Sequence, residues 1–435
     1  MNVGILGGGL AGLTVAAHLG EPCEVLEGDD RPGGHCQSVC EQGFTFDAGG
    51  PHIMFSRNRQ TLDFMVSLLG KNVRIGRRNN KIFYRGRYVK YPFENGLFDL
   101  DPQDRYECLI GCLKNDAPEP SNFKEWMYHT FGQGITEKYM LPYNEKIWKI
   151  NAAEMNLDWV DGRVPRPPLE DIVKAAVGVE TEGYTHQLNF YYPEHGGIEA
   201  LPAAMAGRVE HITNGFSIRN VRRHGDRWTV SDGRSERDYE RVVATIPIHE
   251  LVKIVEGVPQ DIQDCVGRLR YNSLITVTVA VPTANIPDYT AIYVPEPSLI
   301  FHRLSFPAIF SPANAPHGMT LIQAEITVNS WDPLWAAPDA DLVKRVVDGL
   351  ESMELVKRSE ICYEKVVRTP YGYVVQDFQI RTGLKRAKAY FEEIGMPLCG
   401  RVAEFEYINM DQCIERGIAV ADRMNKGAYA GVGCQ

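Results

Sequence analysis

The chain has 435 residues, enough for a large core and for more than one ordinary domain. Its apolar content of 44% and charged content of 23% are typical of a soluble globular protein, and no apolar run reaches the roughly 18–20 residues of a membrane span. A net charge of -10 argues against binding to nucleic acid or an anionic membrane, so an anionic ligand would need a local basic site.

The N-terminal apolar stretch lacks the basic residues that begin a signal peptide. The ten cysteines include pairs four residues apart, Cys36/Cys40 and Cys108/Cys112, but not the spacing of a zinc site. We therefore predict a cytoplasmic protein with reduced, mostly buried thiols and no metal site.

The first predicted elements form a nucleotide-binding turn. Residues 2–6 are a short apolar strand, residues 7–12 read Gly-Gly-Gly-Leu-Ala-Gly, and a helical stretch follows. Glycines permit close approach of the backbone to a pyrophosphate, and the helix N-terminus offers it N–H groups. A second strand, 23–26, ends at Glu27, which can bind both ribose hydroxyls of adenosine and would repel the 2′-phosphate of NADP. The predicted cofactor-binding residues here are Gly7, Gly9, Leu10, Ala11, Gly12 and Glu27.

Two glycine-containing segments follow this turn. Residues 31–35 read Arg-Pro-Gly-Gly-His, and residues 43–52 give a strand and a glycine turn. Together with the first turn they resemble the extended fingerprint of the FAD-dependent amine oxidase superfamily. The resemblance implies an α/β fold with a Rossmann-type FAD-binding domain, FAD as cofactor, and Gly34 beside it. It also implies a C-terminal return to the flavin, with Arg401 at the pyrophosphate or ring edge and Met410 at a helix N-terminus.

The middle of the chain supplies the predicted substrate side. Helical periodicity marks Asp104–Leu113, Phe123–Phe131 and Ile135–Tyr143, whereas Leu274–Val281 and Met319–Val328 alternate like strands. We predict three discontinuous or inserted domains: an FAD-binding domain from 1–60, 195–265 and 395–430, a mainly helical substrate or lid domain over 61–194, and an antiparallel-sheet substrate domain over 266–394.

Three motifs in these segments are more specific. Residues 88–95 read Tyr-Val-Lys-Tyr-Pro-Phe-Glu-Asn, residues 139–148 read Tyr-Met-Leu-Pro-Tyr-Asn-Glu-Lys-Ile-Trp, and Arg163 follows Trp148 by fifteen residues within 159–164. This pattern resembles the UDP-galactopyranose mutase family, more closely its eukaryotic type, over most of the chain.

The resemblance implies a nucleotide-sugar mutase that interconverts pyranose and furanose forms. In this family N5 of reduced FAD attacks the anomeric carbon and expels the nucleoside diphosphate, and the N5-bound sugar recloses with the other ring size. The cofactor is the nucleophile, so the protein supplies binding and orientation. NADPH and NADH are the candidate reductants, and a UDP-sugar is the first candidate substrate, with GDP or another base left open.

The resemblance also assigns the site residues. Arg163, Arg303 and His52 are implied as catalytic, since guanidinium groups pair with a diphosphate and the histidine lies beside the flavin. Tyr293 lies ten residues before Arg303, the family's spacing for a diphosphate-binding tyrosine. Asn144 and Trp148 share a helix face toward the sugar, and Tyr91 stacks on the base. The full implied substrate-binding set is Tyr91, Glu94, Asn144, Trp148, Tyr293, Tyr373, Tyr407 and Asn409.

Glu94 departs from the family pattern, which carries a glutamine at this position. Glutamine donates and accepts, whereas an ionised glutamate only accepts. Guanine offers two adjacent donors that suit a carboxylate, and uracil does not. Two interpretations stay open: Glu94 reads a base other than uracil, or it faces solvent or an arginine.

Two rival functions share the FAD fingerprint. One is an FAD-dependent oxidase or desaturase of the amine oxidase or protoporphyrinogen oxidase type, which would make the arginines incidental. The other is a flavoprotein without turnover, against which the retained arginines and tyrosines argue. A homo-oligomer is left open.

Overall fold

The computed structural model describes residues 2–160, 163–164, 166–183, 188–283, 286–329 and 331–429. Asp161 and Gly162, which belong to the motif after Trp148, and Ala430, at the end of a predicted domain, lie outside the described residues.

Runs of strands and runs of helices follow one another along the chain. The strands are β1 (Val3–Leu6), β2 (Cys23–Leu26), β3 (Ser38–Glu41), β4 (Phe44–Asp47), β5 (Arg74–Arg77), β6 (Asn80–Tyr84), β7 (Arg87–Lys90), β8 (Asn189–Tyr192), β9 (Ile212–Thr213), β10 (Asn220–His224), β11 (Arg227–Ser231), β12 (Glu236–Tyr239), β13 (Arg241–Ala244), β14 (Tyr271–Pro282), β15 (Ala291–Tyr293), β16 (Arg303–Ser305), β17 (Met319–Val328) and β18 (Tyr363–Val374). The α-helices are α1 (Leu10–His18), α2 (Arg59–Leu69), α3 (Pro102–Leu113), α4 (Phe123–Ile135), α5 (Leu141–Trp148), α6 (Leu169–Ala176), α7 (Ala200–Ala206), α8 (Ile248–Ile254), α9 (Gln260–Gly267), α10 (Pro307–Phe310), α11 (Asp339–Ser352), α12 (Ile380–Glu393) and α13 (Met410–Asn425).

A parallel sheet carries the predicted nucleotide-binding turn. Its strand order is β13-β1-β2-β9, and every residue of β1 and β2 is buried. Near-continuous apolar strands of this kind need helices on the sheet faces, and α1 and α13 pack together beside it. The predicted α/β fold with a Rossmann-type domain is confirmed.

A seven-stranded sheet forms the second layer, in the order β18-β14-β17-β16-β15-β6-β7. Its pairs are antiparallel except β6 with β15. Alternation along β14 sends Ile275 and Val277 into a core that also contains the apolar face of α11. The centre of the opposite face is polar and meets the loop after β4, where Thr276 Oγ1 donates to the Ala48 carbonyl. One end of that face is apolar and packs on Phe44 and Phe46. The sheet therefore separates an apolar core from a polar central region directed at the nucleotide-binding part.

The hairpin β6–β7 joins this sheet although it lies in the segment 61–194, whose other long elements are helical. The predicted domain boundaries themselves stay a prediction.

Two predicted helices meet at an irregular junction. Gly132 interrupts α4 with φ +69°, and residues Thr136–Met140 form a π-helical turn between α4 and α5. The predicted helix Ile135–Tyr143 is therefore a π-turn followed by the start of α5. This junction places α5, with Asn144 and Trp148, against the seven-stranded sheet.

A buried carboxylate at the end of β4 fixes the loop that follows this strand. Asp47 accepts hydrogen bonds from Ser38 Oγ (3.0 Å), Tyr192 OH (2.8 Å) and the backbone N–H groups of His52 (3.0 Å) and Ile198 (3.0 Å). Burial raises the pKa of Asp47 to about 6, against the opposing effect of these donors. Four donors from four segments fix the loop 47–52 in place.

No helix within the described ranges has both the length and the apolar character needed to cross a membrane. The nine cysteines in the described part of the chain form no disulfide.

Ile326→Ala is expected to lower the free energy of unfolding by about 2–5 kcal/mol, because Ile326 is fully buried on the apolar face of β17. Ile75→Ala is the matched control, since Ile75 is 63% exposed and its truncation should cost less than about 0.5 kcal/mol. Urea unfolding of both variants measures the difference, and equal losses would contradict the assigned core.

Candidate active site

One cavity of about 1080 Å³ lies between the parallel sheet and the polar face of the seven-stranded sheet. It brings together most of the residues singled out from the sequence. The predicted residues that line it are Gly7, Gly9, Leu10, Ala11, Glu27, Gly34, His52, Arg163, Tyr293, Arg303, Tyr373, Arg401, Tyr407, Asn409 and Met410. The predicted residues that are not part of its lining are Gly12, Tyr91, Glu94, Asn144 and Trp148.

The glycine turn has the geometry that a pyrophosphate requires. Gly7 has φ +113°, and a Cβ on Gly12 would lie 2.1 Å from the carbonyl oxygen of Gly7. A Cβ on Gly9 would meet no atom within 4 Å, so the backbone at the start of α1 is open to the cavity. Gly12 thus closes the turn from behind while Gly9 leaves room for a ligand.

Glu27 is held at the carboxyl end of β2. Its Oε2 accepts from the backbone N–H of Gly8 at 2.7 Å, and its Oε1 accepts from that of Asp29 at 2.9 Å. These two donors fix the carboxylate at the cavity wall, where it suits the ribose of an adenosine nucleotide.

A second helix N-terminus and a cation complete this end of the cavity. Helix α13 begins at Met410, and Gln412 Oε1 accepts from the backbone N–H of Asn409 at 3.3 Å. Arg401 donates to the carbonyls of Ile408 (3.1 Å) and Gly372 (2.9 Å). Its Nε is buried without a hydrogen-bond partner in the described residues. Two helix N-termini and a guanidinium with a free donor fit the pyrophosphate and ring of FAD.

Arg163 reaches the same cavity from the segment after α5. It donates to the Tyr407 carbonyl and, at 3.3 Å, to Gln412 Oε1, and its guanidinium lies 4.3 Å from the centroid of the Tyr407 ring. Burial lowers its pKa from the ordinary value. Arg163 and Arg401 thus flank Tyr407, since Arg401 lies 4.7 Å from the same ring.

Arg303 lies on the polar face of the seven-stranded sheet. It stands directly opposite Tyr293 on β15 and opposite Glu325 on β17. Arg303 Nε and Nη2 bind the two Glu325 oxygens at 2.5 and 2.7 Å. Burial acts to lower the pKa of Arg303, but Glu325 outweighs it and the pKa lies well above its ordinary value. The arginine is therefore held charged at the cavity wall.

Aromatic rings form a second layer behind the lining tyrosines. Trp148 is 3% exposed and packs edge-on against Tyr373 (6.1 Å) and Tyr407 (5.4 Å). Asn144 accepts from Trp148 Nε1 at 3.3 Å and donates to the Met140 carbonyl. Asn144 and Trp148 are in contact on one face of α5, where they support the lining residues instead of lining the cavity.

Tyr91 likewise lies behind a lining residue. Its ring stacks on Tyr293 with centroids 4.6 Å apart and planes at 23°. His52 lines the cavity, and its Nδ1 lies 2.7 Å from the Gly50 carbonyl. Burial lowers the pKa of His52 to about 4, so the ring is neutral at pH 7.

Glu94 is buried at 4% exposure in the aromatic and aliphatic core beside α3. No Lys or Arg of the described chain forms an ion pair with it, and burial raises its pKa to about 7. The interpretation that Glu94 faces solvent or an arginine is therefore wrong. The segment 91–95 packs inward at the start of the helical part, a long-range contact that the local sequence does not reveal.

Glu325 is the functional residue that the sequence patterns missed. It is fully buried in the middle of the apolar strand β17, two residues from the buried Gln323. A charged residue at the centre of such a strand is a signal in itself, because a buried acid needs a partner. Its partner comes from a different strand and could not be identified from spacing.

The glycine turn, Glu27 and the two helix N-termini define an FAD-binding protein of the Rossmann type. Beyond the cofactor turn, the guanidinium groups of Arg163 and Arg303 also line its cavity. The chain belongs to the flavin-containing amine oxidoreductase family, whose model matches residues 10–425. FAD is accordingly its cofactor, as predicted.

Solved structures show the same architecture. A reduced UDP-galactopyranose mutase is 25% identical, with 99% of this chain and 97% of that chain covered and a TM-score of 0.89. A protein described as a putative protoporphyrinogen oxidase from Exiguobacterium is 17% identical, with 98% of each chain covered and a TM-score of 0.78. Cyclohexylamine oxidase from Brevibacterium oxydans is 14% identical, with 98% of each chain covered and a TM-score of 0.69. The two oxidases show the shared fold alone, and the resemblance to the mutase family suspected from the sequence is confirmed.

Glu94→Gln is expected to stabilise the protein at pH 8 and to change its stability little near pH 4.5. Because the pKa of Glu94 is about 7 in the folded state and 4.5 ordinarily, the folded state loses stability as the pH rises through this interval. This rise in the pKa of Glu94 corresponds to a loss of at most roughly 3 kcal/mol in the free energy of unfolding.

Urea unfolding at pH 5 and pH 8 measures this effect. Glu119→Gln, at an exposed position without an ion pair among the described residues, is the control and should change the stability little at either pH. A stability gain of Glu94→Gln that is equal at both pH values would rule out an uncompensated buried carboxyl.

Proposed function

We propose that the protein is an FAD-dependent nucleotide-sugar mutase that interconverts pyranose and furanose forms of a nucleoside-diphosphate sugar. One observation carries the proposal: Arg163, Arg303 and the tyrosines 293, 373 and 407 converge on the same cavity as the FAD turn. The 25% identity to a UDP-galactopyranose mutase supports it.

The residues suit a diphosphate leaving group. Arg163 and Arg303 can pair with phosphate oxygens through charge-assisted hydrogen bonds, and the phenols of Tyr293, Tyr373 and Tyr407 can donate to further oxygens. When bound, reduced FAD supplies the nucleophile, so the side chains need only bind, orient and protect the substrate.

The side chains behind the cavity lining fix the orientation of the tyrosine rings. Trp148 packs edge-on against the rings of Tyr373 and Tyr407, and the Arg401 guanidinium lies over both rings, at 5.7 and 4.7 Å. His52 stays neutral, because its pKa is about 4. Its Nδ1 proton donates to the Gly50 carbonyl, which leaves Nε2 as an acceptor at the cavity wall.

The substrate base and the reductant belong to the same proposal. A UDP-sugar is the first candidate and a GDP-sugar the second, and NADPH or NADH would reduce the flavin. Titration of the dithionite-reduced, FAD-loaded protein with UDP and with GDP distinguishes the bases.

Ring isomerisation is expected to require reduced FAD and to consume no oxygen. The reaction is redox-neutral overall, so the reduced cofactor is needed but not spent. The measurement compares isomerisation of UDP-galactopyranose by dithionite-reduced and by oxidised protein, with oxygen uptake followed in parallel. Equal rates in both redox states would contradict the proposal. Peroxide formed in proportion to product would indicate instead an oxidase of the kind found among the structural neighbours.

Arg163→Ala and Arg303→Lys are each expected to weaken UDP binding and slow turnover by about ten- to a hundredfold, the cost of a lost charge-assisted contact. Lysine is chosen at 303 because alanine would leave Glu325 buried without a cation. FAD content should stay unchanged.

Arg358→Ala is the control for these variants, since Arg358 pairs with Asp348 on α11, on the far side of the seven-stranded sheet. Calorimetric titration with UDP and steady-state kinetics give both effects. Wild-type UDP affinity in both site variants would show that the arginines do not bind the diphosphate.

A further inference from the structure

Glu325 is a carboxylate of the seven-stranded sheet with an unusually closed environment. Its side chain is 0% exposed, and it meets Arg303 in a fork-to-fork ion pair across the paired strands β16 and β17. Arg303, by contrast, is 24% exposed and lines the cavity. The acid is thus hidden behind the arginine, and only the arginine can reach a ligand.

The loop beside the cofactor closes the other side of this carboxylate. A Cβ on Gly50 would lie 2.9 Å from Glu325 Oε2, so the loop backbone packs directly on the acid. Gly50 has φ +84°, and its carbonyl accepts from His52 Nδ1. Glu325 therefore lies between the guanidinium of Arg303 and the loop that carries His52.

The ion pair fixes which atoms of Arg303 meet a ligand. Nε and Nη2 are engaged by Glu325, and within the described residues Nη1 has no hydrogen bond to the chain. Nη2 also keeps its second N–H. Arg303 can then meet a phosphate group only end-on, through Nη1 and the free N–H of Nη2, and not side-on through Nε and Nη2. The charge of Arg303 is also balanced locally, which leaves a directed hydrogen bond and little long-range attraction.

We propose that Glu325 is the positioning residue of the diphosphate site: it locks Arg303 in a single, end-on orientation and neutralises its long-range field. This inference rests on the proposed function, because it concerns how the same site contacts its diphosphate. Attraction of the anion from solution is then the task of Arg163 and Arg401, which are held by neutral acceptors.

Glu325→Gln tests the inference in the FAD-loaded protein. Gln keeps the shape of the side chain but accepts at one atom only, so Arg303 is released from its fork and its charge is exposed. We expect kcat to fall by about ten- to a hundredfold, since misplacement by 1 Å can cost this much. The Kd for UDP should change by a smaller factor, and its dependence on salt should become steeper than in the wild type.

Two further variants separate positioning from stability. Glu325→Asp keeps the charge on a shorter side chain and should recover the wild-type salt dependence and part of kcat. Asp104→Asn is the matched control, because Asp104 is a buried acid paired with Lys138 at 2.8 Å and does not line the cavity. It should lower the melting temperature but leave kcat and the salt dependence of UDP binding unchanged.

The outcomes are distinct. A Glu325→Gln protein with wild-type kcat and salt dependence overturns the inference, and so does a parallel loss of kcat and UDP affinity without a steeper salt dependence. If Glu325→Gln does not retain FAD, the same salt titration of Glu325→Asp decides, and a steeper dependence there overturns the inference. If the wild type neither binds UDP nor isomerises the sugar, the proposed function fails first, irrespective of Glu325.

Discussion

The cavity depends on one physical constraint: cations at its wall must be kept charged although they are largely withdrawn from water. An unpaired buried charge is prohibitively costly, so each guanidinium needs acceptors from the chain. Arg303 has the carboxylate of Glu325, Arg401 has two backbone carbonyls, and Arg163 has the Tyr407 carbonyl and Gln412. The acceptor of Arg303 is charged, whereas the acceptors of Arg163 and Arg401 are neutral. The positive charge of Arg303 is therefore balanced by the chain, and the charges of the other two arginines can attract an anion.

The acceptors come from elements far apart in the chain. Glu325 is supplied by β17, the carbonyl of Gly372 by β18, and Gln412 by the first turn of α13. The same elements also carry Tyr373 and the start of the helix that faces the cavity. These elements therefore link the cofactor turn to the cavity wall formed by the seven-stranded sheet, and Asp47, with its four donors, fixes the loop 47–52.

Glu94 is a buried ionisable group that lacks such a partner among the described residues. It is a buried acid without a cation among the described residues, and its pKa rises to about 7. A carboxyl with this pKa is partly protonated at neutral pH, and its protonated form can donate a hydrogen bond. A contact of Glu94 with a nucleobase stays a prediction. Glu94 lies three residues after Tyr91, and Tyr91 stacks on the cavity-lining residue Tyr293.

The sequence by itself determined the cofactor end of this protein. The turn at 7–12, the acid at Glu27 and the strands around them are local patterns whose geometry follows from glycine conformations and hydrogen bonding of the backbone. The family resemblance, with its spacing of ten residues, indicated Tyr293 and Arg303. Only the tertiary structure decided that Asn144, Trp148 and Tyr91 support the lining from behind, that a π-turn precedes α5, and that Glu325 pairs with Arg303. These features depend on contacts between residues distant in sequence, which no local periodicity encodes.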